Sequence, residues 1–267
     1  YIAVEFAGIF NGLGVDTTLS YRGSLIMRGF DDDIRQHLQD EMEKKGIKLK
    51  LNASFEKVEK TDAGLTVHLD DGTTLEADTV MSAIGRRPNV NGLGLEEAGV
   101  ALKDNGAVIV DDYFQTNVKS IYAIGDIIDR YQLTPVAISE AMVLSANLFD
   151  GKTLSMDYAD IPTAVFSHPN IGTVGLTEEE AREAYSGVTI YRSTFKPMKH
   201  TLTGRDEQTL MKLIVDKASD RVVGCHMVGP DAGELIQGMG VALKAGATKD
   251  HFDATVGIHP TAAEEFV

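Results

Sequence analysis

The spacing of apolar positions changes along the chain, and each change marks an element. In "YIAVEFAGIFNGLG", Ile2, Val4, Phe6, Ile9 and Leu13 alternate with Ala3, Ala7, Gly8, Gly12 and Gly14 at close-packing intervals, which predicts a buried helix from Ile2 to Leu13. "VDTTLSY" predicts a strand ending at Tyr21. "DDDIRQHLQDEMEKKG" reads as an amphipathic helix. Asp31 to Asp33 suit its start, where carboxylates cap free amides and meet the positive end of the helix dipole. Lys44 and Lys45 suit the last turn, and Gly46 suits the stop. "IKLKLNASF" predicts the next strand. Helix and strand in alternation predict a parallel sheet with helical crossovers.

Beyond residue 54 the texture changes. "FEKVEKTDAGLTVHLDDGTTLEADTVMSAIG" holds three short strands, with "DAG" and "DDG" as hairpin signals. The run "TVMSAIG" is almost wholly apolar or small, which predicts a central parallel strand ending in the turn "GRRPN". A further strand is expected from Ile121 to Ile124, then a helix from Pro135 to Phe149, then a linker, "GKTLSMDYADIP". From Ile161 the pattern predicts a strand, a helix at "TEEEAREAY", strands at 188–195, 209–215 and 222–228, and helices at 231–245 and 248–254. That is an α+β unit with an antiparallel sheet.

Composition narrows the function. A length of 267 residues can bury a full core and has room for two domains. No apolar run approaches the ~20 residues that span a bilayer. A net charge of −15 argues against a nucleic-acid binder, which needs a basic face. The single cysteine, Cys225, excludes an internal disulfide framework and a cysteine-rich metal site, so no metal site is expected. It fits a reducing, cytoplasmic compartment. Lying in the apolar run "VVGCHMVG", it reads as a buried, inert thiol.

Dinucleotide folds place G-x-G-x-x-G/A between their first strand and first helix, so that the backbone can approach a pyrophosphate. If Ala3 is the third position of that motif, both glycines fall just before Tyr1, and the first strand falls with them. Alone, the stretch reads first as an ordinary amphipathic helix. In the second half of such a unit an acid at the strand tip binds the ribose 2′-hydroxyl, or an arginine binds a 2′-phosphate. Here "YRGSLIMRGFD" has no acid at the tip but offers Arg22 and Arg28. A guanidinium fork suits a phosphate, which favours NADP over NAD; taken singly, these are also two solvated surface arginines. Further on, Gly125-Asp126 follows a strand end, where ligands of open α/β sheets bind and an aspartate can accept from a polyol or ribose.

Together these segments resemble one family. "YAIGD" followed by "LTPVAISEA" resembles the second flavin-binding segment of the pyridine-nucleotide disulfide oxidoreductases. "AIGRRPN" resembles the end of their NADPH domain, and "HPTAAEEF" resembles their dimer-interface motif. "YIAVEFAG", the arginine pair and "FSHPNIGTVGLTE" resemble the bacterial glutathione-reductase branch. The resemblance runs over the whole chain. It implies an α/β protein with a Rossmann-like NADPH-binding domain at 1–88, the C-terminal part of an FAD-binding domain at 89–155 and an α+β dimerisation domain at 156–267. It also implies that most of the FAD domain and the redox cysteine pair stand outside these residues.

The resemblance further implies FAD and NADPH as cofactors, glutathione disulfide as substrate, a homodimer, and a set of site residues. Tyr1, with Ile2 beside it, resembles the lid over the nicotinamide pocket. Glu5 resembles an acid paired with a lysine beside the flavin. Arg22 and Arg28 would take the 2′-phosphate, and Gly85 belongs to the segment closing the NADPH domain. Gly125 and Asp126 would meet the ribityl chain, and Leu133 and Thr134 would line the flavin ring. His259 would be the acid–base of thiol–disulfide exchange, oriented by Glu264. His168 is assigned a packing role, and Lys199 and Arg205 are read as surface residues. Other readings are a dihydrolipoamide dehydrogenase, a mercuric-ion or trypanothione reductase, or an inactive nucleotide-binding or dimerisation fragment.

Overall fold

Helix α1 (Ile2–Gly12) and strand β1 (Thr18–Tyr21) open the chain, followed by α2 (Asp32–Lys44) and β2 (Lys48–Leu51). The computed structural model describes every residue except Ala63, so the "DAG" turn lies partly outside the described residues. β1 and β2 pair in parallel, from Thr18↔Lys48 to Tyr21↔Leu51. Asp31 caps α2 by accepting from the Asp33 amide at 3.1 Å, and Gly46 follows the helix at φ +90°. α1 is not buried all round. Val4, Ala7 and Gly8 face the core, whereas Phe6, Ile9 and Leu13 are exposed, because the packing layer covers only one face. Next comes an antiparallel meander of β3 (Phe55–Thr61), β4 (Gly64–Leu69) and β5 (Thr74–Ala77).

The run at 79–84, expected as a central parallel strand, is irregular and largely exposed. A central strand needs a hydrogen-bonding neighbour on each side. The parallel sheet described here consists of β1 and β2 alone. Residues 121–124 depart from expectation in the same way, with one isolated bridge, Gln115↔Tyr122, in place of a paired strand. Residues 79–84 have the side chains of a buried strand without a strand neighbour, whereas 121–124 pair only briefly, the Thr116 amide donating to the Ile121 carbonyl at 3.0 Å and the Ala123 amide to the Phe114 carbonyl at 3.1 Å.

By contacts the chain divides into two compact units. One joins Tyr1–Ala83 to Ala159–Val267, and the other is Ile84–Tyr158. The second unit contains a short 3-10 helix, Gly125–Ile128, and helix α3 (Thr134–Phe149), around a core of Val100, Val108, Phe114 and Ile128.

The first unit resumes with β6 (Thr163–Val165), β7 (Ile171–Gly175), α4 (Glu178–Ala184), β8 (Val188–Phe195) and the short α5 (His200–Thr203). β9 (Thr209–Asp216), β10 (Val222–Val228), α6 (Ala232–Lys244) and α7 (Lys249–Asp253) follow. The strands form one antiparallel sheet in the order β6-β7-β10-β9-β8. Thr177 starts α4 with a reciprocal capping box to Glu180. α6 lies on the sheet through Ile236 and Leu243, close enough that a Cβ on Gly240 would stand 2.4 Å from Pro162. On the other side, Val165, Ile171, Leu210 and Val228 share a core with Val4, Ile26, Ile34, Leu38 and Met42 from the first 51 residues. No helix is long and apolar enough to cross a membrane among the described residues.

Candidate functional site

His259 and Glu264 stand together at the end of the chain. A 3-10 helix, Ala262–Phe266, carries Glu264, and Phe266 anchors it by inserting into the α6–β9–β10 core. Gly257 lets the two segments meet, since a Cβ there would lie 2.8 Å from Glu264 Cβ. His259 Nδ1 sits 3.0 Å from Glu264 Oε1 and 3.2 Å from Oε2. The imidazole is 78% exposed and the carboxylate 27%. A carboxylate on Nδ1 makes that nitrogen the donor and leaves Nε2 to solvent, able to take or give a proton.

At the start of the same unit, Tyr1 is exposed, Ile2 half-buried, and the Glu5 carboxylate accepts from the Phe166 amide at 2.9 Å. That amide, rather than a lysine, is the hydrogen-bond partner this structure gives Glu5. His168, two residues beyond Phe166, lies against Gly8, where a Cβ would come within 2.5 Å of its Nδ1. Arg22 and Arg28 are exposed at the tip of β1 and beyond it, without hydrogen-bonded side-chain partners among the described residues. Two free guanidinium groups on a loop after β1 suit a phosphate.

In the second unit Gly125 turns the chain at φ +72°, with its Cβ position 3.1 Å from Ala137 Cβ. Its amide donates to Glu140 Oε2 at 2.6 Å, and Glu140 Oε1 accepts from the Tyr158 hydroxyl at 2.6 Å. Glu140 is fully buried, so both carboxylate oxygens are spent on holding this turn. Burial, reinforced by Glu140, raises the Tyr158 pKa and keeps the phenol a donor. The turn presents Asp126, which pairs with Arg86 at 3.0 Å, one residue beyond the positive-φ Gly85. Both partners are half-exposed, and such a pair is worth about 0–1 kcal/mol, so a hydroxyl can compete for the carboxylate. Leu133 and Thr134 form the start of α3, whose N-terminus has no side-chain cap. An acceptor and a close-approach glycine at this turn fit the polyol of a flavin.

Two buried groups escaped the sequence reading. Glu140 is the only charged residue of sixteen in α3, and Lys212 is a lone cation in a strand buried along its whole length. That isolation was the available signal. Lys212 Nζ meets Asp31 at 2.8 Å, Asp33 at 2.6 Å and Glu178 at 2.8 Å. Burial opposes its charge, but the three carboxylates raise its pKa above the ordinary value. Across the ladder, His226 is buried and its pKa is lowered by burial, against the pull of the Asp31 charge. Its Nε2 meets the Leu176 carbonyl at 2.9 Å. Burial pushes the Cys225 thiol far up, which leaves it unreactive. Lys199 and Arg205 are exposed. Among the described residues no group of three or more histidine, cysteine or acidic side chains could hold a metal.

Residues 1–141 match the family model of the pyridine nucleotide-disulphide oxidoreductases, and residues 161–267 match the dimerisation domain of the same proteins. A glutathione reductase of Burkholderia cepacia is 53% identical over the whole chain, which covers 60% of that protein. A trypanothione reductase of Leishmania donovani is 45% identical over 99% of the chain and 55% of its own length. Among solved structures, the HOCl-induced flavoprotein disulfide reductase RclA from Escherichia coli superposes with a TM-score of 0.89 at 29% identity, over 100% of this chain and 61% of that one. The chain thus spans about 60% of the length of the first of these relatives.

Proposed function

The chain belongs to the pyridine nucleotide-disulphide oxidoreductase family, and from that premise we propose that the protein containing it is a cytoplasmic, homodimeric, NADPH-dependent glutathione-disulfide reductase. In this reading residues 1–88 bind NADPH, 89–155 complete an FAD-binding domain and 156–267 form the dimer interface. The observation that carries the chemistry is the His259–Glu264 pair, with its oriented Nδ1 and solvent-facing Nε2.

When bound, FAD and NADPH supply the hydride and electron transfer that keeps a dithiol reduced. Cys225 is the only cysteine here and is buried, so the dithiol comes from outside these residues. In the exchange, a thiolate attacks one sulfur of the substrate disulfide. A new S–S bond forms, the old one breaks, and the electron pair leaves on the second sulfur. His259 Nε2, in the imidazolium form, gives that thiolate its proton, while Nδ1–H keeps its bond to Glu264. Arg22 and Arg28 bind the 2′-phosphate, Tyr1 and Ile2 cover the nicotinamide, and Glu5 lies beside the flavin. Asp126, on a turn fixed by Gly125 and Glu140, accepts from the flavin ribityl chain. Leu133 and Thr134 border the ring, and Gly85 closes the NADPH-binding segment.

The similar trypanothione reductase favours one rival, trypanothione disulfide as substrate. Turnover by the whole protein of glutathione disulfide, trypanothione disulfide and lipoamide, each with NADPH and with NADH, decides. Fastest turnover is expected for glutathione disulfide with NADPH. A preference for trypanothione disulfide or lipoamide, or for NADH, overturns the assignment.

A further inference from the structure

We propose that Arg35, whose fork is engaged with the protein itself, is a positioning residue for NADPH selectivity: it holds the loop between Arg22 and Arg28 and so fixes where those two guanidinium groups stand. The inference rests on reading Arg22 and Arg28 as the 2′-phosphate ligands. Arg35 leaves the start of α2 and turns back under the loop. Its Nε donates to the Ile26 carbonyl at 2.7 Å, its Nη2 to the Leu25 carbonyl at 2.7 Å, and its Nη1 to Asp32 Oδ1 at 2.5 Å. All three nitrogens of the planar fork are engaged, two of them on consecutive carbonyls midway between the arginines. Its side chain is only 17% exposed, whereas the Asp32 that orients it is 77% exposed.

Other contacts hold the loop as well: the Ile26 amide donates to Gln39 Oε1 at 3.5 Å and the Phe30 amide to the Met27 carbonyl at 3.2 Å. Residues 22–30 lie outside any helix or strand, so their carbonyls need other donors. Asn52 supplies one, its amide donating to the Gly23 carbonyl at 3.0 Å. Beneath, Ile26 and Met27 are buried against Val165, Ile171, Leu210 and Val228. Met27 is held at φ 59°, a left-handed conformation that strains a side-chain-bearing residue and persists only where its surroundings enforce it. Arg35 completes that enforcement from the α2 side. Two long, mobile arginines then start from fixed backbone, and a 2′-phosphate loses less ordering entropy on binding.

Equilibrium binding of 2′,5′-ADP and of 5′-AMP to the flavin-loaded whole protein tests this without turnover. Arg35→Lys keeps the charge and loses the fork, so any effect reports geometry. Its preference for 2′,5′-ADP over 5′-AMP should fall roughly tenfold, with 5′-AMP affinity unchanged. Arg22→Gln/Arg28→Gln should abolish the preference. If the double variant abolishes it and Arg35→Lys retains it, the positioning role is overturned and the reading of the arginine pair stands. If the double variant retains it, that reading itself fails, and the role of Arg35 with it. Should Arg35→Lys not fold, Asp32→Ala at the exposed end of the same contact decides. A roughly threefold loss of preference supports the role, and an unchanged preference overturns it.

Discussion

Lys212 and His259 both hold hydrogen bonds to carboxylates, and they sit in opposite surroundings. The Lys212 side chain is 1% exposed, its ammonium is shared by three acids, and two of those acids lie on the cap and first turn of α2 while the third starts α4. Nothing remains on it for a ligand. His259 is 78% exposed, has one carboxylate on one nitrogen, and keeps the other nitrogen open. The first arrangement joins the N-terminal helices to the C-terminal sheet. In the proposed function the second exchanges a proton. The difference is one of saturation: a group with every hydrogen bond spent internally serves architecture, and a group left one short stays open to solvent or a ligand.

Breaking the saturated cluster should give the largest effect. Lys212→Met leaves Asp31 buried beside Asp33 and Glu178 with no shared cation, and removing one partner of a buried pair costs about 3–5 kcal/mol. The lower end is expected, because Asp31 keeps bonds from the Asp33 and Glu178 amides, Asp33 keeps Arg192, and Glu178 keeps Arg182. Urea unfolding of the whole protein measures it. A loss below about 1 kcal/mol would place Lys212 with ordinary surface pairs. His259→Gln should do the reverse, with stability nearly unchanged and disulfide turnover reduced about a hundredfold or more, the usual size of a lost general acid. Reduction of the bound flavin by NADPH should be unaffected, and a stopped-flow trace showing that step slowed equally would remove His259 from the exchange. Glu264→Gln keeps the contact without the charge, and a smaller loss of turnover, about tenfold, is expected.

How far the sequence revealed this depends on whether each signal is local. The α2 cap, the glycine after it, the helix at "TEEEAREAY" and the strands of the C-terminal sheet at 188–228 are local facts of side-chain type, and they appear within a residue or two of expectation. The pairing of His259 with Glu264 was reached through a resemblance, and the geometry supplies its physical cause in Gly257 and Phe266. Residues 79–84 form no strand and 121–124 only an isolated bridge, because apolar composition makes a segment willing to be a strand, while a continuous ladder to a neighbour makes it one. The roles of Glu140, Lys212 and Arg35 were invisible because each acts on residues distant in sequence or on backbone carbonyls. Only the anomaly of a lone charge among apolar neighbours pointed to the first two.

Acid should find the same cluster. Burial pushes the Asp31 pKa up, but Lys212, the Glu178 amide and nearby charges outweigh it and hold the folded-state value below the ordinary 3.8. Its contribution is therefore complete above about pH 4 and is lost as pH falls through that lowered value. His226 acts higher. Because burial lowers its pKa from 6.5, the unfolded chain takes up a proton that the folded one refuses, and stability begins to fall below about pH 6.5. Lys212, raised above 10.5, keeps its contribution until pH rises beyond that value. Unfolding free energy should thus decline from pH 7 to pH 3. In Lys212→Met the part of that decline below pH 4 should be smaller, and an identical slope there in both proteins would sever the link.

The smallest effect is the sharpest control. Lys48 and Asp16 form a lysine–aspartate pair at 2.7 Å, as close as Lys212 and Asp31, but with side chains 63% and 75% exposed. Residue types and contact distance are matched, while burial and the number of carboxylates on the ammonium differ. In water the two ions of the exposed pair are screened and well solvated apart, and their attraction barely exceeds the entropy of holding two mobile side chains together. Asp16→Asn should therefore change stability by no more than about 0.5 kcal/mol, and raising salt should shrink even that. If Asp16→Asn and Lys212→Met cost the same, contact distance rather than saturation and burial would govern both, and the separation of architecture from chemistry drawn from Lys212 and His259 would fall.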